Sequence, residues 1–213
     1  MARLDVAPTK SSLLALKRQL AFAEEGYDLL EQKRQILVFE LMGRLDRARE
    51  AERAVDETLA RAHEALRAAH LQAGSAAIEA AAGAVRMDHE VQIAMQPLMG
   101  LRLPRVTARC EEAGVRFGVQ GTSAGTDVAM QRFVALLPVL ADLAELQAAV
   151  VRLARELKKC QRRCNALSRI FIPNLRETIA YILGTLEERE RESFVIFKRI
   201  RDRLAGAREA DTA

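Results

Sequence analysis

The sequence predicts an all-α protein: a long antiparallel two-helix left-handed coiled coil with a short β-hairpin-containing head in the middle of the chain. Of the 213 residues, 50% are apolar but only 4% are aromatic, and Trp is absent. Such a composition is typical of long helices. Apolar residues recur every three or four positions in the first and last thirds of the chain, and a glycine-containing segment separates these two thirds.

The first helix is predicted over residues 9–72. The hydroxyl side chains of Thr9, Ser11 and Ser12 can cap its first turn. No turn signal appears before Gly74. A repeat with a period of 3.5 residues forms one stripe, which contains two arginines that are expected to fix the helix register at a cost in stability: Leu13, Leu16, Leu20, Ala23, Tyr27, Leu30, Arg34, Leu37, Leu41, Arg44, Ala48, Ala51 and Val55.

The last helix is predicted over residues 127–206, with Thr126 or Asp127 as its N-cap and residues 207–213 as a tail. Two long helices that are separated by an excursion must run antiparallel if they pair, and neither can bury its stripe alone. The stripe comprises Leu136, Val139, Leu143, Leu146, Val150, Leu153, Leu157, Cys160, Cys164, Leu167, Phe171, Leu175, Ile179, Ile182 and Leu186, and continues more weakly at Phe197, Ile200 and Leu204.

The intervening segment, residues 73–126, is predicted to form the head. Its alanine-rich part, Ala76 to Met99, is expected to be helical. A hairpin is expected at about residues 104–120. Its arms would be Val106–Cys110 and Val115–Val119, where apolar and polar residues alternate around a turn at Glu111–Gly114.

Pro173 stands inside the last helix, where a proline removes a backbone donor and clashes with the carbonyl group four residues earlier. The stripe takes three consecutive steps of four there, which is a stutter that locally unwinds a supercoil. We therefore expect the helix to kink but to continue through Ile172–Asn174. Either Gly26 or Gly43 is expected opposite the proline, where it would leave room for the bent backbone.

No residue pattern predicts catalysis, a metal site or a cofactor. The glycine-rich segment Gly118–Asp127 lacks the lysine of a phosphate-binding loop, so a connector is the favoured interpretation. Cys160 and Cys164 could chelate a metal, but their stripe positions favour packing in the core. The three histidines, His63, His70 and His89, match no ligand spacing.

The net charge and the lengths of the apolar runs limit which partners and which cellular compartment are expected. The net charge is only +4 with interspersed signs, so nucleic-acid binding is not expected. No apolar run approaches the roughly 20 residues of a membrane helix, so no direct membrane span is expected. Three cysteines do not suggest a disulfide framework, and the N-terminus lacks an apolar signal core. A cytosolic protein is predicted.

Two blocks of residues resemble the terminal signatures of the D subunit of the V-type (archaeal/vacuolar-type) rotary ATPases. The N-terminal block contains Pro8, Thr9, Leu13, Leu16, Lys17, Leu20, Ala23, Gly26, Leu29, Leu30, Lys33 and Arg34. The C-terminal block contains Arg162, Arg163, Asn165, Ala166, Leu167, Ile172, Pro173, Asn174, Thr178, Ile179, Leu186, Glu188, Arg189, Glu190, Arg191, Phe194, Lys198 and Ile200.

The resemblance implies a non-catalytic central-stalk rotor that binds no cofactor. It would transmit torque between an ATP-binding hexamer of catalytic and non-catalytic subunits and the membrane ion-translocating ring. The small F subunit of the stalk would bind its side, and a funnel-shaped subunit above the ring would bind its other end. The location would be cytoplasmic and peripheral to the membrane. The expected partner-binding residues are Lys17, Lys33, Arg34, Arg162, Arg163, Arg189, Arg191, Lys198 and Arg199.

Two interpretations of the charged segments stay open. The mixed-charge run Glu187–Glu192 and the basic patch Leu157–Cys164 are each more often solvated helix faces than partner sites. At the level of the whole chain, a stand-alone coiled-coil scaffold or tether is the alternative to a rotor. A proline that coincides with a stutter favours the rotor, because a simple tether has no evident need for either.

Overall fold

A computed structural model describes residues 4–85, 89–110, 118 and 121–211, with side chains described as far as residue 203. Within these residues the protein consists of long helices and one small hairpin, which confirms the predicted fold class. The chain divides into two compact units, a terminal unit (Met1–Gln35 with Lys158–Ala213) and a central unit (Ile36–Leu157). The elements are α1 (Lys10–Ala73), α2 (Ser75–Ala84), β1 (Glu90–Leu98), β2 (Leu101–Arg109), α3 (Ala124–Ala166), a π-helical turn (Leu167–Phe171) and α4 (Ile172–Asp211).

Helix α1 begins as its sequence predicts. The Thr9 hydroxyl accepts the Ser12 backbone N–H at 3.1 Å and lies 2.8 Å from the Ser12 hydroxyl. This side chain therefore satisfies one of the N–H groups that a helix start leaves unpaired. Every position of the predicted α1 stripe is buried or half-buried, and burial continues at Ala62 and Ala69.

In the terminal unit, α1 packs against the C-terminal helices in antiparallel orientation. The Lys10 ammonium lies 2.8 Å from the Glu190 carboxylate, and Arg176 donates to Glu24 at 2.6 Å. Residues later in α1 therefore pair with residues earlier in α4, as antiparallel helices require. Between these pairs lies a core of Leu16, Leu175, Ile179 and Ile182, with flanking contacts from Leu13, Leu20, Ala23, Leu183 and Leu186. We call the facing apolar stripes of the two helices the seam.

The central unit contains α2, the hairpin and the adjoining parts of α1 and α3. His63 of α1 meets Phe133 of α3 edge to face, with ring centroids 5.8 Å apart. The hairpin packs on α3 through β2: the Val106 N–H donates to the Glu145 carboxylate at 2.7 Å, and Arg152 donates to the Arg102 carbonyl at 2.5 Å. These bonds fix the hairpin to one face of α3.

The hairpin lies upstream of its predicted position. Strand β2 contains the predicted first arm as far as Arg109, but its observed partner is β1, which the sequence analysis assigned to a helix. The turn is Met99–Gly100, and both residues have positive φ, 51° and 80°. Positive φ at both turn residues matches the twist of a two-residue hairpin. The predicted second arm, 115–119, falls almost entirely outside the described residues.

Three helix boundaries differ from the predicted ones. The alanine-rich helix ends at Ala84 rather than continuing to Met99. Helix α3 starts at Ala124, so Thr126 and Asp127 lie in its first turn. The Thr126 hydroxyl accepts the Ser123 N–H at 3.5 Å, which satisfies a backbone donor at the helix start. Helix α4 extends to Asp211, into the predicted tail.

One stretch of the described helices, within Ala124–Arg203, is long and apolar enough by composition to cross a membrane, and 17% of it is buried. The expectation that no run approaches this length is therefore not met. In α3 only isolated acids such as Asp142 and Glu145 interrupt long apolar stretches. Because core helices pass the same test, this finding is weak evidence for a membrane span.

Candidate functional site

The helix irregularity near Pro173 is a π-helical turn. The Ile172 N–H donates to the carbonyl of Leu167, five residues earlier, and α4 begins directly after this turn. The prediction that the helix continues through Ile172–Asn174 is confirmed. A regular turn would place the ring of Pro173 against the Arg169 carbonyl. A wider turn leaves more space between the ring and the preceding carbonyl groups. The π-helical turn therefore accommodates the proline.

The π-helical turn shifts the seam by one residue. Ile172 is only 9% exposed, whereas Phe171, which the sequence analysis placed in the stripe, is 57% exposed. Burial then resumes at Leu175, Ile179 and Ile182 with the expected steps. The prediction for Phe171 was wrong because the widened turn uses an additional residue, which places Ile172 instead of Phe171 on the buried face.

Neither glycine that was expected to make room for the proline has close neighbours. Apart from its chain neighbours and the adjacent backbone of its own helix, a Cβ atom added at Gly26 or at Gly43 would meet no heavy atom within 4 Å. Neither position therefore requires glycine for a close approach between two backbones. Gly26 belongs to the terminal unit, as Pro173 does, whereas Gly43 belongs to the central unit.

Two ion pairs perturb side-chain pKa values in the terminal unit. Arg34 binds both carboxylate oxygens of Glu31, with Nε 2.9 Å from Oε2, and this bonding lowers the pKa of Glu31. The hydrogen bond from Lys10 lowers the pKa of Glu190 and raises that of Lys10. Arg34, an expected partner-binding residue, is thus engaged with a residue of its own helix.

The remaining expected partner-binding residues lie on α1, α3 and α4 of the terminal unit. Arg189 donates to the Pro8 carbonyl at 3.1 Å, and Arg191 donates to Glu188 at 3.4 Å. Lys33 is half-buried. Arg189 and Arg191 are exposed, as are Lys17 on α1, Arg162 and Arg163 on α3, and Lys198 and Arg199 on α4. Their roles in binding partners stay predictions.

The C-terminal part of α4 exposes an unusual amount of apolar surface. Glu190 pairs with the first residue of α1, and every described side chain from 191 to 203 is exposed. Consecutive helix positions are about 100° apart, so the apolar run Phe194–Phe197 presents side chains in every direction. Phe194 is 78% exposed and Phe197 is 69% exposed. Sequence reasoning found only a weak stripe here, although the unbroken FVIF run was a usable signal.

The cysteine pair packs in the seam, as its positions suggested. Cys160 and Cys164 are 3% and 2% exposed, and the Cys160 thiol donates to the Leu30 carbonyl at 3.3 Å. Burial raises the pKa of the Cys164 thiol, which favours its neutral form. Among the described residues no group of three or more His, Cys, Asp or Glu side chains could hold a metal ion.

Together these features define the class: a coiled-coil protein with a central hairpin and an apolar helix end that no described residue covers. The chain belongs to the family of ATP synthase D subunits, whose sequence model matches residues 12–202. It is 36% identical over 202 residues to the V-type ATP synthase D subunit of Thermotoga neapolitana, covering 95% of this chain and 100% of that protein.

Further relatives have the same extent. The A-type ATP synthase D subunit of Pyrococcus furiosus is 36% identical over 212 residues, covering 97% of this chain and 98% of the relative. The second V-type ATP synthase D subunit of Treponema pallidum is 39% identical over 201 residues, covering 94% and 96%. The similarity therefore includes the central segment as well as the two terminal signatures.

Proposed function

We propose that this protein is the non-catalytic central-stalk rotor subunit of a V/A-type rotary ATPase. It transmits torque between the ATP-binding hexamer and the membrane ion-translocating ring. Relatives that are named subunits of V-type and A-type ATP synthases over nearly their whole length support this proposal. The protein acts on the cytoplasmic side, peripheral to the membrane.

The observation that carries the proposal is the uncovered end of α4. A helix with apolar side chains on all sides is stable only when its surroundings enclose it. Phe194, Val195, Ile196 and Phe197 face different directions and are all more than half exposed. A ring of subunits around this helix end supplies such an enclosure. We therefore assign the end of α4 to the interior of the hexamer of catalytic and non-catalytic subunits.

The helices are also suited to carrying torque. Helix α1 has 64 residues, which corresponds to about 96 Å of α-helix. Pairing with a second helix along a buried seam resists bending better than a single helix does. In this proposal the small F subunit of the stalk binds the side of the coiled coil, and the funnel-shaped subunit above the membrane ring binds the end away from the hexamer.

Affinity purification of the tagged chain from its native cells, with an ATPase assay on the eluate, tests this function. We expect the large catalytic and non-catalytic subunits to co-purify with ATPase activity. The double variant Phe194→Glu/Phe197→Glu should lose most of these subunits, because it places charges inside the enclosure. The matched control Leu71→Glu, at an 89% exposed position of α1, should retain them. Recovery of the wild-type chain alone would contradict the proposal.

A further inference from the structure

The segment that precedes α1, residues 4–8, lies along the surface of α4. The Leu4 N–H donates to the Thr178 hydroxyl at 3.2 Å, and the Pro8 carbonyl accepts a hydrogen bond from Arg189 at 3.1 Å. Thr178 and Arg189 are 11 residues apart in α4, which is about three helical turns, so they lie on the same side of the helix. The segment therefore follows the axis of α4 between these two bonds. We call residues 4–8 the strap.

Thr178 anchors one end of the strap from inside the seam. Its side chain is 1% exposed, and no other polar side chain in the described part of the terminal unit is buried to this degree. Its hydroxyl donates to the Asn174 carbonyl at 2.7 Å and accepts the Leu4 N–H. A buried hydroxyl lowers stability unless it is hydrogen-bonded. The strap therefore supplies one of the two partners of a polar group that the helices enclose.

The side chains of the strap lie beside both helices of the pair. Leu4 lines a groove of about 330 Å³ together with Phe22 of α1 and Leu175 of α4. Val6 is half-buried, and Tyr181 of α4 lines a second groove with all five residues of the strap. The strap thus adds apolar contacts on one side of the coiled coil, as a third segment beside α1 and α4.

The strap ends at the point where α4 leaves the coiled coil. Pro8 is bonded to Arg189, and the pair Lys10–Glu190, at 2.8 Å, joins the first residue of α1 to the next position of α4. Beyond Glu190 every described side chain of α4 is exposed. A sideways force on this uncovered end acts as on a lever, so it pulls most strongly on the last paired turns. Those are the turns that the strap covers.

We propose that the strap is a clamp that holds the last paired turns of α1 and α4 together and passes force from the uncovered end of α4 to both helices. The bond between Leu4 and Thr178 holds one end of the clamp, and the bonds of Pro8 and Lys10 hold the other. Thr178 is a positioning residue, because it acts through the strap. The mechanical role rests on the proposed function, whereas the clamp itself is a property of the isolated chain.

Hydrogen exchange of the isolated full chain, read by mass spectrometry, tests the clamp. Thr178→Val removes the acceptor of the Leu4 N–H but keeps the shape of the side chain. We expect the α1 amides of residues 13–20 to exchange faster by about tenfold, as for the loss of one hydrogen bond of a buried group. Thr178→Ser keeps the hydroxyl and should restore slow exchange. The control Thr58→Val removes a hydroxyl that is bonded to the Ala54 carbonyl in the central unit, and it should leave these amides unchanged.

Substitutions of Leu4 separate the strap from a direct effect of Thr178 on the seam. Leu4→Pro removes the donor N–H, whereas Leu4→Ala keeps this N–H and shortens the side chain. Thr178→Val should add nothing in the Leu4→Pro background, since either change alone removes the bond, and it should keep its full effect in the Leu4→Ala background. Additive effects of Leu4→Pro and Thr178→Val, or unchanged exchange in Thr178→Val, would overturn the clamp.

Rotation of surface-held complexes under load tests the mechanical role. Complexes with Thr178→Val should turn a small probe at the wild-type speed and lose the rotation of a large, high-drag probe. If Thr178→Val and wild type rotate the large probe equally, the mechanical role is wrong. If wild-type complexes rotate neither probe while they hydrolyse ATP, the proposed rotor function fails, and hydrogen exchange still decides whether the strap is a clamp.

Discussion

Phe171 and Ile172 are neighbours in the chain but lie in opposite environments. The first is 57% exposed and the second is 9% exposed. A regular 3.5-residue repeat predicts the reverse. The difference arises because the π-helical turn ends between them and adds one residue to the local period. The contrast in exposure between these two side chains is therefore a direct consequence of the π-helical turn.

Alanine substitutions of Phe171 and Ile172 should differ in their effect on the free energy of unfolding. We expect Ile172→Ala to lower the free energy of unfolding by about 2–5 kcal/mol, since it removes a buried side chain and leaves a cavity. Phe171→Ala should change it by less than about 1 kcal/mol, because its ring is mostly in water. Urea unfolding of both variants measures this. A larger loss for Phe171→Ala would place Phe171 in the seam and contradict the π-helical turn.

The pair Lys10–Glu190 should be visible in a pH titration. The Glu190 pKa is lowered in the folded chain, so its stabilising contribution is present above the usual pKa of 4.5 and is lost as pH falls through the lower folded value. Carbon NMR of the side-chain carboxyls should show Glu190 titrating below its usual value. The shift should disappear in Lys10→Met and weaken in salt, because both groups are exposed. An unchanged Glu190 pKa in Lys10→Met would contradict the pair.

At the scale of elements, the two internal prolines of the C-terminal helices differ in context. Pro138 lies inside the regular helix α3, whereas Pro173 is the second residue of α4, just beyond the π-helical turn. A proline in a regular helix interior costs about 3 kcal/mol relative to alanine. A proline that follows a widened turn should cost less, because the wider turn leaves more space between its ring and the preceding carbonyl groups.

Alanine at each proline tests this difference. We expect Pro138→Ala to raise the free energy of unfolding by up to about 3 kcal/mol and Pro173→Ala to raise it by less than about 1 kcal/mol. Thermal and urea unfolding of the two variants under identical conditions provide the comparison. Equal gains would show that the wider turn does not relieve the strain of Pro173.

The two long helices were predictable from the sequence because their periodicity extends over many turns. The α1 stripe from Leu13 to Val55 is buried or half-buried at every position, and Thr9 caps the helix start. Among the described stripe positions as far as Leu186, the seam was misassigned at Phe171, where its period changes, and the weaker continuation at Phe197 and Ile200 is exposed rather than buried. Apolar spacing locates a stutter but does not determine which residue the backbone inserts.

The hairpin and the candidate sites were less predictable. Met99–Gly100 is a weak turn signal beside Asn-Gly or Asp-Gly, and Ala94 and Met95 are compatible with a helix. Pairing of β1 with β2 therefore had no strong local signature. The exposure of Ile170 and Phe171 also depends on the π-helical turn, which the spacing of apolar residues does not reveal.

At the scale of the whole molecule, family membership and the exposed end of α4 support the rotor proposal. The family model covers residues 12–202, which include most of both terminal helices and the whole hairpin. The exposed apolar run Phe194–Phe197 is the surface that the proposal encloses within surrounding subunits. Torque transmission, as part of the rotor proposal, is tested by measuring rotation.

Single-molecule rotation tests that part most directly. The complex is held to a surface through its hexamer, and a visible probe is attached to Leu71→Cys, an 89% exposed position, in a chain whose half-buried Cys110 is changed to Ser. The two seam cysteines stay in place because they are buried. We expect the probe to turn stepwise in one direction when ATP is added. A probe that stays still while the same complexes hydrolyse ATP would contradict the rotor function.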